Sequence, residues 1–158
     1  MQIEHALEII KSSQDFFERA TRALEEKDST FMPMPGMMTV AQQVFHVAHT
    51  IDWFLDGAFS ETGFDLDFAA SAALTAKVTS LTEARECYRS SVKQLVEALE
   101  KKPAAEWSKH IVPGLIMGGE SRFEIIGGIV DHTAHHRGSL AVYTRLLGKT
   151  PPMPYIDM

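Results

Sequence analysis

Five of the seven histidines fall in two short windows, QQVFHVAH at 42–49 and DHTAHHRG at 131–138. Imidazoles grouped at helical spacing are metal-ligand chemistry. His132 and His136 are four residues apart, so on a helix one turn separates them and their Cβ atoms stand about 5–6 Å from each other. Two rings at that spacing can converge on one ion. His135 projects about 100° away from His136 around the axis and points elsewhere. A third ligand must come from another segment. His46 and His49 are the candidates, because Gln42, His46, His49 and Trp53 recur at spacings of 4, 3 and 4 and share one helix face. Three neutral imidazoles would leave at least one coordination position open, as catalytic sites do and structural sites do not. Imidazole suits zinc, nickel, iron or copper, and the spacing does not choose among them.

A histidine pair on a helix is often incidental. Here it lies between Ile129 and Leu140 on an apolar face, where unpaired imidazoles are costly and a shared ion would relieve the cost. Other chemistries lack their signatures. There is no HExxH, no Glu three residues before a His, no glycine-rich phosphate loop and no GxSxG elbow. The single cysteine, Cys87, excludes an internal disulfide and a cysteine-based zinc cluster. It is read as a small buried apolar residue of a helix.

Four long helices must carry these groups. The first spans about Gln2–Lys27, with Ile3, Leu7, Ile10, Phe17 and Leu24 forming its stripe. DSTFMPMPGMM follows as a loop, and its methionines are read as fillers between helix ends. Thr39 caps a second helix to Ala58. That helix is so poor in charge that two of its sides should be buried. Residues 59–79 form a linker with room for a short helix. Ser80 and Glu83 match a capping box opening a third helix to about Lys101. The fourth helix starts near Glu120 or Ser121 and ends at Leu147, with Gly148 as its C′ residue. Gly127 and Gly128 inside it suggest close packing or room beside a site. The tail TPPMPYIDM is too rich in proline to be helical. Trp53 and Trp107 are read as core, Arg137 as the partner of an acid on another helix, and Tyr143 as a core tyrosine that could also donate a proton. His5 and His110 are assigned no role.

The 158 residues fit one domain, 1–158, and a chain of this size can bury a core without disulfides. Fifteen basic against 21 acidic residues give a net charge of −6. Such a surface repels phosphate backbones, which argues against nucleic acid as a partner. The opening MQIEHALEII lacks the pattern of a secretory signal. The uncharged stretch Ser29–Ile51 contains two prolines, a glycine, two glutamines and two histidines, so it is read as loop and buried helix rather than a membrane span. A cytoplasmic location is expected. The pattern is that of an all-α protein, a helical bundle with two lengthy connections that leave the helix order open.

DHTAHHRGSLAVYTRLLGKTPP, residues 131–152, resembles the closing signature of the DinB/YfiT-like family of metal-dependent helical bundles. MTVAQQVFHVAHT, residues 38–50, is similar to that family's first histidine segment. The resemblance implies a four-helix bundle in up-down-down-up order and a divalent metal site (zinc, nickel or iron) made by His46, His132 and His136. His46 is preferred to His49 because it precedes Val47 and Ala48 in the family position. Ser139 where Gln is common, His135 where an aromatic is common, and the lack of a Trp near Thr39 are departures that touch substrate contacts more than the metal site. The resemblance further implies a small-molecule substrate, a low-molecular-weight thiol among the options, and a homodimer. The activity expected is that of a metal-dependent thiol S-transferase or related hydrolase, with Gly128 leaving space for substrate one turn before His132. The alternative is a helical bundle that binds a metal or small molecule without turnover.

Overall fold

The computed structural model describes residues 2–156, so the last two residues of the tail, Asp157 and Met158, lie outside the described residues. The described residues form helices α1 (Ile3–Thr21), α2 (Val40–Phe59), α3 (Phe68–Thr75), α4 (Leu81–Lys101), α5 (Ala104–Trp107) and α6 (Glu124–Leu146), with a short 3₁₀ turn at Glu26–Asp28. No strand occurs among them. One isolated antiparallel bridge joins His110 to Ser121.

Local chemistry sets the helix ends. The Thr39 hydroxyl accepts from the Gln42 N–H at 3.2 Å while Gln42 Oε1 accepts from the Thr39 N–H at 2.9 Å, a closed capping box on α2. Ser80 accepts from the Glu83 N–H at 3.2 Å and opens α4. The first helix stops at Thr21, earlier than its apolar stripe suggests, yet Leu24 is still buried because the chain turns inward before the 3₁₀ turn. The last helix begins at Glu124 rather than near Glu120, since the Arg122 and Phe123 N–H groups donate back to Lys109 O and Trp107 O. It ends in a Schellman motif: Gly148 N–H donates to Arg145 O at 2.9 Å and Lys149 N–H to Thr144 O at 3.0 Å. Gly148 has φ +74°, the left-handed conformation that glycine adopts without strain.

The four long helices form an up-down-down-up bundle. The start of α2 touches the segment leading into α4, with Gln42 donating to Ala76 O at 3.2 Å. Its end lies beside the end of α4, with Lys102 over the Phe59 ring at 4.6 Å. These two helices are therefore parallel, and residues 60–80, carrying α3, return the chain along the bundle between them. The last helix runs against α2, pairing Gly128 with Phe54 at one end and Tyr143 with Gln43 at the other. The first helix runs against α4, its end held by Arg85, which donates to Thr21 O at 2.8 Å and Leu24 O at 3.1 Å. Lys149, just past α6, bonds Ala23 O, Glu25 and Asp28 just past α1, so those two helices are parallel.

The core runs along the bundle axis through Ile10, Phe17, Val44, Val47, Ile51, Leu81, Tyr88, Leu95, Ile125, Ile129 and Leu140. Trp107 is fully buried there, as expected. Three other readings need correction. Cys87 is exposed, because α4 turns that position away from the core. Met32, Met34 and Met37 are exposed rather than packed between helix ends. Arg137 lies over the rings of Phe16 and Tyr155, at 5.7 and 5.8 Å, a cation–π arrangement instead of the expected acid partner. For Gly127 the close-packing alternative drops out, because nothing lies within 4 Å of where a Cβ would stand.

Candidate metal centre

His46 from α2 meets His132 and His136 from α6. One ring nitrogen of each lies within 4.8 Å of one from each of the others. His46 Nε2 and His132 Nε2 are 3.2 Å apart. The ring centroids are 4.9 Å apart for His46–His132 and for His46–His136, and 4.5 Å for His132–His136. His136 is buried and the other two are half-buried. His49 is not in the cluster; its ring stacks on Phe45 with centroids 6.0 Å apart. His135 is exposed and presents its ring edge-on to His136.

A glutamine that the sequence pattern passes over orients the buried ring. Tyr143 donates its hydroxyl proton to Met38 O at 3.0 Å. Having spent that proton, the Tyr143 oxygen can only accept from the Gln43 amide N–H at 3.2 Å. The amide therefore turns its Oε1 toward His136, where it accepts a short hydrogen bond from Nδ1–H. This chain of protons fixes the His136 tautomer and leaves Nε2 with a free lone pair. It also removes Tyr143 from the list of proton donors to a substrate: the residue is 2% exposed and its proton is committed. Gln42, which shares the helix face of His46, is committed to the cap of α2 and takes no part in this chain.

Electrostatics suit the three rings to ligation. Burial holds His132 down at about 4, with a smaller contribution from His46. Burial, reinforced by His132 and His46, holds His136 down at about 3. His46 is also lowered, mainly by burial and then by His49. All three stay neutral at physiological pH, as metal ligands must. The donor set passes a simple test of fit: two nitrogens each about 2.0–2.1 Å from one ion and 3.2 Å apart subtend roughly 100°, between the octahedral and tetrahedral angles.

The centre opens into a cleft of 950 Å³ between α2, the 60–80 crossover and α3. His46 and His132 line its inner end, and Trp53, Phe64 and Phe68 supply aromatic walls. Two glycines make this wall possible. A Cβ on Gly57 would stand 2.2 Å from Phe64 Cδ1, and one on Gly128 would stand 2.8 Å from Phe54 Cζ. The space beside Gly128 is thus filled by Phe54, not left for a substrate. Trp53 is half-buried and belongs to the cleft rather than the core; its indole N–H donates to Asp65 O at 2.8 Å. Asp52, one turn past His49, is fixed by a 2.9 Å hydrogen bond from Ser91, while its Oδ1 has no partner among the described residues. Burial pushes its carboxyl up, against the opposing effect of Ser91.

A search among curated proteins finds no match. Among solved structures, YfiT from Bacillus subtilis, described as a probable metal-dependent hydrolase with an unusual four-helix bundle topology, superposes with a TM-score of 0.72. The two share 15% identity over 94% of this chain and 89% of that one, which establishes the likeness of fold. The family model for the DinB family matches residues 1–158. The chain belongs to the DinB family.

Proposed function

We propose that this protein is a metal-dependent enzyme in which His46, His132 and His136 hold one divalent ion at the inner end of the cleft. The observation that carries the reading is the meeting of three neutral imidazoles from two helices beside a cavity large enough for a small organic molecule. When bound, such an ion supplies Lewis-acid chemistry, lowering the pKa of a water or thiol so that a nucleophile exists near neutral pH. The chain's own residues do the rest. Gln43 and Tyr143 hold the His136 ring in one orientation and one tautomer. Phe54, Phe64 and Trp53 pack on one another and wall the cleft that leads to the centre. The nucleophile would be water, as in a hydrolase, or a low-molecular-weight thiol, as in an S-transferase, acting on a small organic electrophile.

The reading carries with it the single domain, cytoplasmic location and homodimer expected from the sequence. Among the described residues no helix is long and apolar enough to cross a membrane. The test is to strip the protein of metal and restore zinc, nickel, iron(II) or cobalt separately. Turnover is then assayed with activated esters and with thiols plus a chlorodinitroarene. A metal-dependent rate that His136→Ala abolishes supports the enzyme. Stoichiometric metal uptake with no turnover of either substrate class would reduce the protein to a binding module.

A further inference from the structure

The lining of the cleft carries information about the molecule it accepts, and the inference rests on the proposed enzyme reading. Asp52, Asp56, Asp65 and Asp67 contribute to that lining, and no Lys or Arg does. Asp52 is committed to Ser91. The other three are exposed. Asp65 and Asp67 each accept one backbone N–H, from Asp67 at 2.9 Å and Ala70 at 2.8 Å. The described ion pairs include none of the three. Among the described residues, then, no cationic side chain pairs with their charge.

Apolar surface lies beside that charge. Phe68 and Leu74 also line the cleft and are 59% and 45% exposed. Trp53 holds its ring 4.6 Å from Phe64 and 6.3 Å from Phe68, measured between centroids. Aromatic faces next to carboxylates attract organic ammonium groups, through the ring quadrupole and through Coulomb attraction. The same surroundings repel carboxylates, phosphates and sulfonates. Trp53 follows His46 by seven residues, which is about 10 Å along the helix, and Asp56 lies about 15 Å along it.

We propose that the cleft selects a substrate with a protonated or quaternary amine beside an apolar group. That group would be held against Trp53, Phe68 and the rim of Asp56, Asp65 and Asp67, roughly 10 Å from the three-histidine centre. Anionic substrates, including thiols with carboxylate tails, are disfavoured.

Calorimetry with benzyltrimethylammonium and phenylmethanesulfonate tests this, because the two have similar shapes, opposite charges and little tendency to ligate a metal. Both zinc-loaded and metal-free protein are titrated. The ammonium should bind roughly tenfold or more tightly than the sulfonate at low salt. The Asp56→Asn, Asp65→Asn, Asp67→Asn triple variant should erase most of that difference; Asn at 67 keeps the cap on α3. Equal affinities, tighter sulfonate binding or no binding of either probe would overturn the proposal. Failure of the protein to take up zinc would count against the three-histidine reading alone, since the metal-free titration still reports on the cleft.

Discussion

Gln43 offers the sharpest perturbation of the candidate centre, because it changes no ligand. Gln43 is 7% exposed and its amide joins His136 to Tyr143. Replacing it with Leu keeps a side chain of similar bulk but removes the amide, which strands the His136 Nδ1–H where water cannot reach easily. The ring loses the acceptor that fixes its tautomer and raises the basicity of Nε2. Loss of such an orienting partner lowers metal affinity by about 10–100-fold, or roughly 1.4–2.8 kcal/mol. Gln43→Glu keeps an acceptor at the same place and should bind metal at least as tightly as the native chain. The assay is competition for zinc against a chromophoric chelator, with circular dichroism confirming that both variants are folded. If Gln43→Leu bound zinc as tightly as the native protein, the reasoning that passes from Tyr143 through Gln43 to His136 would be refuted.

Further expectations concern the surroundings of the centre. His49→Ala and His135→Ala should leave zinc affinity within about threefold of native, because neither ring joins the cluster; a loss as large as that of His46→Ala would show that the ligand set is different. Gly57→Ala forces the Phe64 ring to move from a contact of 2.2 Å and should destabilise the fold by about 1–3 kcal/mol in thermal unfolding. An unchanged melting temperature would mean that the crossover packs elsewhere.

Acid should act late. His132 and His136 are held at about 4 and about 3 in the metal-free fold, below the ordinary 6.5. The folded chain thus binds fewer protons than the unfolded chain below pH 6.5. Their contribution to stability is complete above that pH and is lost as pH falls toward about 3. Bound metal should likewise persist to about pH 5, lower than free imidazole would allow. Release centred at pH 6.5, followed by metal titration, would contradict the burial argument.

The helices and the histidines were legible in the sequence for a physical reason. Long amphipathic stripes such as Ile3–Leu24 define helix faces, and caps such as Thr39 and Gly148 use side-chain and backbone chemistry that is local. The two histidine windows stood out because α2 and α6 carry imidazoles on sides that lack charge. The orienting glutamine, Gln43, was not legible. On a helical projection both Gln42 and Gln43 lie near His46, and only the capping geometry shows that Gln42 is occupied. The cleft was illegible because its outer wall, residues 60–80, follows no periodic pattern. The course of that segment is set by distant contacts such as Phe64 on Gly57. Phe54 filling the space at Gly128 and the exposure of Cys87 likewise depend on how helices rotate against one another, which spacing alone does not determine.

The central claim is the convergence of His46, His132 and His136 on one ion. Crystals grown with one equivalent of zinc, and diffraction data collected on both sides of the zinc absorption edge, test it directly. A single anomalous peak about 2.0–2.1 Å from one nitrogen of each of the three rings is the predicted result. A peak held by other residues, or a well-ordered three-histidine cluster without one, would contradict it.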